Sequence, residues 1–338
     1  MSFKPEDRAS AKSLKLAITL EPESWILRRF GNYLQRLTAD ETECRLLELH
    51  ESVPADTDAI IYANWSHLYQ CPPLNREMPG VLMVGHMDRT AFRFRYLLWR
   101  YPRLQVICMA QRWVDALRRY FIPASRLHLI PHGIDLDMFK PVPELREHKR
   151  TRIGFVGRAY PDGRKGEDRL IGIGRQLNRL EYEFVLVGDR WEKLVERLRK
   201  MGFTVEYHRQ LKAEQISDVM VSMDVLLVCA RNEGGPQPVL EALACGVPVL
   251  STEVGFVPDL QKIVPEQVTI YRQAGEVLQY LPLARTKRMQ AQAAVAATRQ
   301  LLTPFTWATW AAGTERLCQS VVGQTASALT EELQPDAV

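Results

Sequence analysis

The chain has 338 residues, which is long for one domain and suits two domains of about 150 residues each. Hydrophobic residues make up 46% of the chain, enough for two cores, and the net charge at pH 7 is only +4. Because this positive balance is slight and no zinc-finger, RNA-recognition or heptad pattern is present, we expect no nucleic-acid partner.

The cysteines and the first residues of the sequence indicate the cellular compartment of the protein. Six cysteines stand far apart without a C-x-x-C pair, so we predict buried free thiols in a reducing environment. The first fifteen residues are charged and lack the apolar segment of a signal peptide. No apolar stretch approaches the ~20 residues that a membrane-spanning helix needs. We therefore predict a cytoplasmic protein, either free or peripheral on the inner face of a membrane.

Short apolar runs typical of strands alternate with helical segments through the first 130 residues. The predicted strands are Leu14 to Leu20, Arg45 to Leu49, Ala59 to Tyr62, Val81 to Gly85, Val106 to Met109 and Leu127 to Ile130; the predicted helices are Trp25 to Leu37, Phe92 to Arg100 and Gln111 to Tyr120. This alternation predicts a mostly parallel sheet covered on both faces. Residues 1–140 would form this first domain, and the charged, proline-bearing segment from Lys140 to Arg150 a linker.

A second α/β series occupies residues 151–305. Its predicted strands are Ile153 to Val156, Phe184 to Val187, Val205 to Tyr207, Val225 to Val228, Val247 to Leu250 and Val268 to Tyr271; its predicted helices are Glu167 to Leu180, Trp191 to Lys200, Ala213 to Val221, Pro238 to Cys245 and Ala284 to Leu302. One more amphipathic helix is predicted from Thr306 to Val322.

The stretch from Val225 to Asp259 reads as a strand, a loop, a helix and another strand. The loop leads into a helix N-terminus, which favours an anion such as phosphate. Glu233 lies in the loop and Glu241 in the predicted first helical turn, with seven residues between them. Carboxylates beside a phosphate site pair naturally with neutral hydroxyls. Phosphate and hydroxyls together indicate a nucleotide sugar, although a plain crossover with two solvated glutamates has the same spacing.

The segment from Glu233 to Glu241, followed by Ala-Leu-Ala-Cys-Gly-Val-Pro-Val, resembles the E-x7-E signature of retaining GT-B glycosyltransferases of the glycosyltransferase 4-like group. Pro131-His-Gly-Ile-Asp135 is similar to the Pro-Asn-Gly-Val-Asp of that family, with His132 in place of Asn. Most relatives have Gly-Phe-Gly after the first Glu, whereas this chain has Gly234-Gly235-Pro236. The resemblance is specific over residues 150–260 and thin before residue 125.

The resemblance implies two Rossmann-like domains facing across a cleft, with a final helix at about residues 306–330 crossing back to the N-terminal, acceptor-side domain. It implies transfer of a sugar, with retention, from a nucleotide-diphosphate sugar to a glycan, a lipid-linked molecule or a small molecule. No metal and no cofactor are expected. Arg158 and Lys165 would bind the diphosphate, Glu233 the donor sugar and Glu241 the ribose, while His86 would line the sugar. The expected catalytic residues are His86, Glu233, Arg158 and Lys165; the expected donor-binding residues are Arg158, Lys165, Glu233, Gly234, Gly235, Pro236, Gln237, Pro238, Val239 and Glu241.

Four features of the chain also have plainer interpretations. The Gly157 to Gly166 loop with Arg158 and Lys165 is equally typical of a solvated basic loop, and a lone histidine such as His86 usually packs or caps. Gly172-Ile-Gly174 is not a dinucleotide fingerprint, because it falls inside a predicted helix rather than directly after a strand. The loop from Glu21 to Trp25 lacks the glycines of relatives, and we expect it to shape the acceptor side.

Arginines and aromatic residues alternate over residues 89–121. Between Gly85 and Arg126 the arginines are residues 89, 93, 95, 100, 103, 112, 118, 119 and 126. Such a stretch fits the headgroup zone of an anionic membrane, but core aromatics with solvated arginines explain the alternation as well. Two other functions remain open for the whole chain. A nucleotide-sugar epimerase shares the fold, and a catalytically silent nucleotide-binding subunit would share the binding residues.

Overall fold

The computed structural model describes residues 13–21, 25–85 and 91–332, and the chain divides into two compact units. Unit 1 contains the described residues up to Cys108, then Trp113–Ile130 and the C-terminal helix from Trp307. Unit 2 contains Met109–Arg112 and Pro131–Thr306. Each unit has its own sheet and its own core.

Unit 1 is built on one parallel sheet. Its strands are β1 (Leu14–Leu20), β2 (Thr42–Glu48), β3 (Ala59–Tyr62), β4 (Gly80–Val84), β5 (Leu104–Cys108) and β6 (Leu127–Leu129). They lie in the order β2-β1-β3-β4-β5-β6, and every neighbouring pair is parallel. The helices between them are α1 (Trp25–Leu37), α2 (His67–Gln70), α3 (Ala91–Arg100) and α4 (Gln111–Arg119). All residues of β3 and β4 are buried, as expected for apolar strands covered on both faces.

The C-terminal helix, Trp307–Glu332, packs within unit 1. The Trp307 ring stacks on Tyr33 of α1 with centroids 4.6 Å apart, and Phe30 meets both Trp307 and Trp310 edge-on. Further along the helix, the Glu315 carboxylate accepts hydrogen bonds from the Ala39 N–H and the Thr42 hydroxyl. Aromatic packing and these two bonds attach the end of the chain to the first elements of unit 1.

Unit 2 repeats the parallel arrangement with a different strand order. Its strands are β7 (Thr151–Val156), β8 (Tyr182–Val187), β9 (Val205–His208), β10 (Val225–Val228), β11 (Val249–Ser251) and β12 (Val268–Ile270). Its helices are α5 (Glu167–Gly174), α6 (Glu192–Lys200), α7 (Ala213–Met220), α8 (Gln237–Ala244), α9 (Val257–Ile263), α10 (Ala274–Tyr280), α11 (Ala284–Ala293) and α12 (Val295–Leu301). The order is β12-β11-β10-β7-β8-β9. Short 3-10 helices lie at Ala124–Arg126, Leu281–Leu283 and Thr303–Phe305.

The predicted fold class, two Rossmann-like α/β halves, is confirmed. Two predicted helices were too long. The helix predicted from Glu167 to Leu180 ends at Gly174, because tight 3-10-type bonds follow and Asn178 turns the chain toward β8. The segment from Ala284 to Leu302 is two helices separated at Ala294.

Arginines attach both α11 and α12 to the rest of unit 2. The buried Arg288 of α11 donates to the carbonyls of Met223 and Gly246. Arg299 of α12 donates to the carbonyls of Leu136 and Phe139, and also to the Ala244 carbonyl at the end of α8. Both helices are therefore anchored near the C-terminal end of α8.

Two predictions made from composition can be compared with the structure. All six cysteines are free and buried, as predicted, and burial raises the pKa of the Cys229 thiol to about 12. Over the described ranges, the helices are too short or too polar for any of them to cross a membrane.

Candidate functional site

The candidate site of unit 2 lies where the direction of its sheet reverses. The chain builds β7, β8 and β9 outward on one side, and then places β10 on the other side of β7. Open parallel sheets bind ligands at the carboxyl ends of the two strands that flank such a switch point. The loops that follow these strands are residues 157–166 after β7 and residues 229–236 after β10. They are the two loops that the sequence predicts to bind the donor.

Glycines bring the two loops together. Gly166 has a φ of +81°, and a Cβ placed there would lie 2.0 Å from the Cys229 carbonyl oxygen. Gly188, after β8, has a φ of +125°, and its Cβ would lie 1.8 Å from the Gly157 carbonyl oxygen. Only glycine tolerates both the left-handed backbone and the close approach. The Arg231 N–H also donates to the Arg164 carbonyl at 2.8 Å, so backbone bonds join the loops directly.

Lys165 and Glu233 face each other across the junction of the two loops. The Lys165 Nζ lies 2.5 Å from Oε1 of Glu233, and the two side chains are only 17% and 9% exposed. Both line a small cavity with Val156, Val228 and Pro236. Such a pair fixes the positions of its two side chains, since breaking it would leave an unpaired buried charge. The structure thus brings together two residues that the sequence assigns to the diphosphate and the sugar.

Arg158 differs from the other cations of these loops. Arg164 pairs with Asp162 at 2.8 Å, and this hydrogen bond raises the pKa of Arg164; Arg231 pairs with Asp168 at 2.5 Å. For Arg158 no carboxylate partner occurs within the described part of the chain, and its buried Nε–H has no hydrogen-bond acceptor there. A buried guanidinium N–H costs free energy until it is paired. Arg158 therefore has unsatisfied capacity to donate to an anion.

The helix that follows the second loop, α8, begins at Gln237, and Pro238 lies in its first turn. Glu241 is the fifth residue of this helix and is 2% exposed, so its predicted position in the first turn was wrong. The backbone becomes helical one residue before Pro238, which moves Glu241 just past that turn. Val239 is fully buried, and its backbone N–H donates to the Pro236 carbonyl at 2.9 Å.

The loop between Glu233 and α8 is held by His132, which the sequence marked only as a departure from the family pattern, and by Phe256, which it did not single out. The ring of His132 bonds the Gly235 carbonyl through Nε2 at 2.6 Å and packs on Phe256 with centroids 5.0 Å apart. A Cβ on Gly235 would lie 2.3 Å from the Phe256 ring. The His132 and Gly-Gly-Pro departures from the family pattern are therefore in contact with each other. The joint occurrence of these two departures in the sequence was the signal from which this contact could have been predicted.

Two further predictions concern His86 and metals. His86 lies outside the described residues. In the described part of the chain, no three His, Cys, Asp or Glu side chains gather as metal ligands. The expectation of a metal-free site stays a prediction.

Residues 150–274, which hold both loops and α8, match the family model described as Glycosyl transferases group 1. A GDP-mannose-dependent alpha-mannosyltransferase of Mycobacterium tuberculosis is 30% identical over 187 residues, which are 52% of this chain and 47% of that protein. A GDP-mannose-dependent alpha-(1-6)-phosphatidylinositol monomannoside mannosyltransferase of Mycolicibacterium smegmatis is 31% identical over 41% of each chain. This chain thus spans less than half the length of these relatives.

The solved structure of a sucrose-phosphate synthase from Thermosynechococcus elongatus superposes with a TM-score of 0.67 at 19% identity, covering 92% of this chain and all of that one. Two doubly wound parallel sheets and this superposition show that the chain has the GT-B fold. Residues 150–274 are similar to the glycosyl transferases group 1 family, the group that the sequence resemblance indicated.

Proposed function

We propose that the protein transfers a sugar, with retention of anomeric configuration and without a metal, from a nucleotide-diphosphate sugar to a hydroxyl of a glycan or lipid-linked acceptor. The observation that carries this proposal is the buried Lys165–Glu233 pair at the β7/β10 switch point, with the unpaired Nε of Arg158 in the same loop as Lys165. Support for the donor class comes from the two mannosyltransferases above, whose names specify GDP-mannose.

The charges of the site suit a diphosphate beside a sugar. An ammonium has three N–H donors, so Lys165 can keep its bond to Glu233 while donating to a phosphate oxygen. Arg158 offers its unpaired donors to the same diphosphate. The second oxygen of Glu233 accepts from a sugar hydroxyl, and Glu241 from the ribose. In this arrangement the ion pair sets the distance between the phosphate and sugar subsites.

The reaction is then mainly electrostatic. The bond between the anomeric carbon and the diphosphate oxygen breaks, and a bond to the acceptor oxygen forms on the same face of the sugar. The acceptor proton goes to the departing phosphate oxygen. Lys165 and Arg158 stabilise the negative charge that grows on the diphosphate, and preorganised charges in a site of low exposure act strongly on such a transition state. These two cations supply the positive charge that a metal would otherwise bring.

The donor is identified first by thermal shift with UDP, GDP, ADP, dTDP and CMP sugars, because a ligand that binds only the folded state raises the unfolding temperature. One family of nucleotide sugars should stabilise the wild type, and Lys165→Ala should weaken the effect. A Lys200→Ala variant is the matched control, since Lys200 is 74% exposed and pairs with Glu196 four residues away. Failure of every nucleotide sugar would contradict the donor site.

Mechanism and reaction class are then separated by product analysis. With a stabilising donor and an acceptor panel, NMR of the new glycosidic bond should show the anomeric configuration of the donor, and EDTA should leave the rate unchanged. An inverted product or a strict requirement for Mg²⁺ or Mn²⁺ would refute the mechanism. Isomerisation of the donor without acceptor would instead identify an epimerase. Binding without turnover of any kind would identify a silent subunit.

The surface of unit 1 supports an acceptor at a membrane. Within the 89–121 stretch, Phe94 and Trp113 are buried, which the core interpretation predicts. Trp99 and Phe121, however, are 68% and 81% exposed, and the Arg95 guanidinium lies 6.0 Å from the Phe121 ring centroid. Exposed aromatic rings among arginines fit the interface of an anionic bilayer. We therefore include peripheral contact with an anionic membrane surface in the proposal.

Sedimentation with vesicles tests this contact. The protein should bind phosphatidylglycerol vesicles at low salt, ignore phosphatidylcholine vesicles and dissociate as salt rises, because surface charges are screened over about 8 Å at 0.15 M. Changing Arg93, Arg95 and Arg100 to Glu should abolish binding. The same charge change at the exposed Arg175, Arg179 and Arg197 of unit 2 is the control and should leave binding largely intact. Equal loss in both variants would show that net charge, not this surface, is responsible.

A further inference from the structure

Unit 1 has its own switch point, which the proposed donor site does not use. The chain places β2 on one side of β1 and β3 on the other, so β1 and β3 are the strands at which the connection reverses. Glu21 is the residue directly after β1, and His67 begins the short helix that follows β3. A carboxylate and an imidazole therefore follow the carboxyl ends of these two strands, which is where an open sheet binds ligands.

A buried hydrogen-bond chain links these residues. The Ala63 N–H donates to the Thr19 hydroxyl at 3.3 Å, and Thr19 Oγ1 lies 2.8 Å from Nδ1 of His67. The other ring nitrogen, Nε2, lies 3.2 Å from Oε1 of Glu21. With Nε2–H donating to Glu21, Nδ1 of the neutral ring accepts from the Thr19 hydroxyl, whose single proton is shared with the Ile61 carbonyl oxygen 3.3 Å away. Each group in this hydrogen-bond series donates to the next, and the series ends at the Glu21 carboxylate.

The burial along this chain is uneven. Thr19 and His67 are completely buried, whereas the Glu21 side chain is 41% exposed. Burial lowers the pKa of His67 despite the opposing hydrogen bond to Glu21, so the ring is neutral near pH 7. A solvated glutamate gains little stability from being fixed by a neutral partner, and fixing it costs side-chain entropy. A carboxylate held in one orientation at a sheet edge is useful when it must meet a ligand.

The chemistry of this carboxylate restricts the ligand. It accepts hydrogen bonds, so it suits hydroxyl or ammonium groups and repels phosphate. We propose that Glu21 binds a hydroxyl group of a sugar-like or cyclitol acceptor at the β1/β3 switch point, and that His67 acts as its positioning residue. This inference rests on the proposed function, because it assigns the acceptor of that reaction to unit 1. In this proposal, unit 2 binds the donor and unit 1 binds the acceptor.

Saturation-transfer NMR with small polyols tests the site on the full chain. The probes are methyl α-D-mannoside, methyl α-D-glucoside and myo-inositol, with methyl α-D-glucosaminide as the cationic analogue. At least one neutral probe should bind the wild type, and Glu21→Gln should weaken it about tenfold or more, the effect of losing a charge-assisted bond. Glu51→Gln, at an exposed glutamate of the same unit, should not change it. Binding by none of the probes, or equal binding by Glu21→Gln, overturns the proposal.

A His67→Phe variant separates positioning from mere packing. It keeps the Glu21 charge but removes the bond that directs it, so the neutral probe should weaken more than the cationic one, whose attraction depends less on direction. Equal weakening of both probes, with an unchanged unfolding temperature, would reject the positioning role. Nucleotide-sugar binding is measured on the same samples. It should be the same in all four proteins, and its absence from the wild type would reject the donor site while leaving the Glu21 result intact.

Discussion

The two switch points of this protein, one in each unit, are formed by different kinds of residues. In unit 2, a glycine at positive φ lets two loops touch, and Lys165 pairs with Glu233 at their junction. In unit 1, no such glycine follows β1, and a neutral buried histidine directs one carboxylate outward.

The contrast follows from the ligands each edge can bind. A phosphate is bound by backbone N–H groups and cations that lie close to it. Glycines allow the backbone to come that close, because they have no side chain in the way. A hydroxyl group is bound by a correctly oriented hydrogen-bond acceptor and does not require several cations around it. One sheet topology can therefore serve either ligand, and the residues just past the strands decide which. Four experiments, from the largest expected effect to the smallest, test this division.

The largest effect is expected from Gly166→Ala. The new Cβ would be 2.0 Å from the Cys229 carbonyl oxygen at a φ of +81°, so strain and a backbone clash should lower the free energy of unfolding by about 3 kcal/mol or more. Gly172→Ala in α5 has open space and should be neutral or stabilising. In unit 1, Gly31→Ala would meet only leucine side chains, which can move, and should cost less. Denaturant unfolding measures all three; similar losses would remove the distinction between the units.

Lys165→Ala should reduce kcat by about a hundredfold, because one preorganised donor to the developing charge is lost. Binding of the bare nucleoside should change far less, since the diphosphate is absent from it. Steady-state kinetics and nucleoside titration give the two values, with Lys200→Ala as control. If affinity for the nucleoside falls as much as kcat, Lys165 supports the loop rather than the transition state.

Glu241→Gln should weaken nucleotide-sugar binding about tenfold, since a charge-assisted hydrogen bond of ~1.5–3 kcal/mol becomes a neutral one. Calorimetric titration measures the affinity, and circular dichroism shows whether the fold is kept. Glu196→Gln is the control, because Glu196 is 63% exposed and pairs with Lys200. An unaltered affinity in a folded Glu241→Gln protein would rule out the ribose assignment.

The smallest effect concerns acid sensitivity in unit 1. Burial lowers the pKa of His67 in the folded chain, so below about pH 6.5 the unfolded state binds more protons than the folded state. The free energy of unfolding should therefore fall as pH drops below that value. His67→Gln should make this decline shallower without removing it, because burial also lowers the pKa of His128 and His148. Denaturant midpoints between pH 5 and pH 8 test this, and an unchanged slope in the variant would contradict it.

Much of the fold could be predicted because apolar runs and their spacing are local properties. Strands such as Ala59–Tyr62 and Val225–Val228 have the bounds that the sequence predicted. The helices α9 and α10 were missed, since their short segments lack a clear apolar period. Helix ends were also misjudged, as at Gly174 and Ala294, because a helix-forming composition does not by itself locate the residue at which a helix ends.

The sequence by itself determined the likeness of residues 150–274 to glycosyl transferases group 1 and pointed to the loops after β7 and β10, because glycine, glutamate and basic residues occur there at fixed spacings. Only the tertiary structure decided which side chains meet. Lys165 and Glu233 are 68 positions apart and pair at 2.5 Å, and Glu21 and His67 meet after two strands that are not consecutive in the chain. Strand order fixes such contacts, and strand order depends on how whole elements pack rather than on any local pattern.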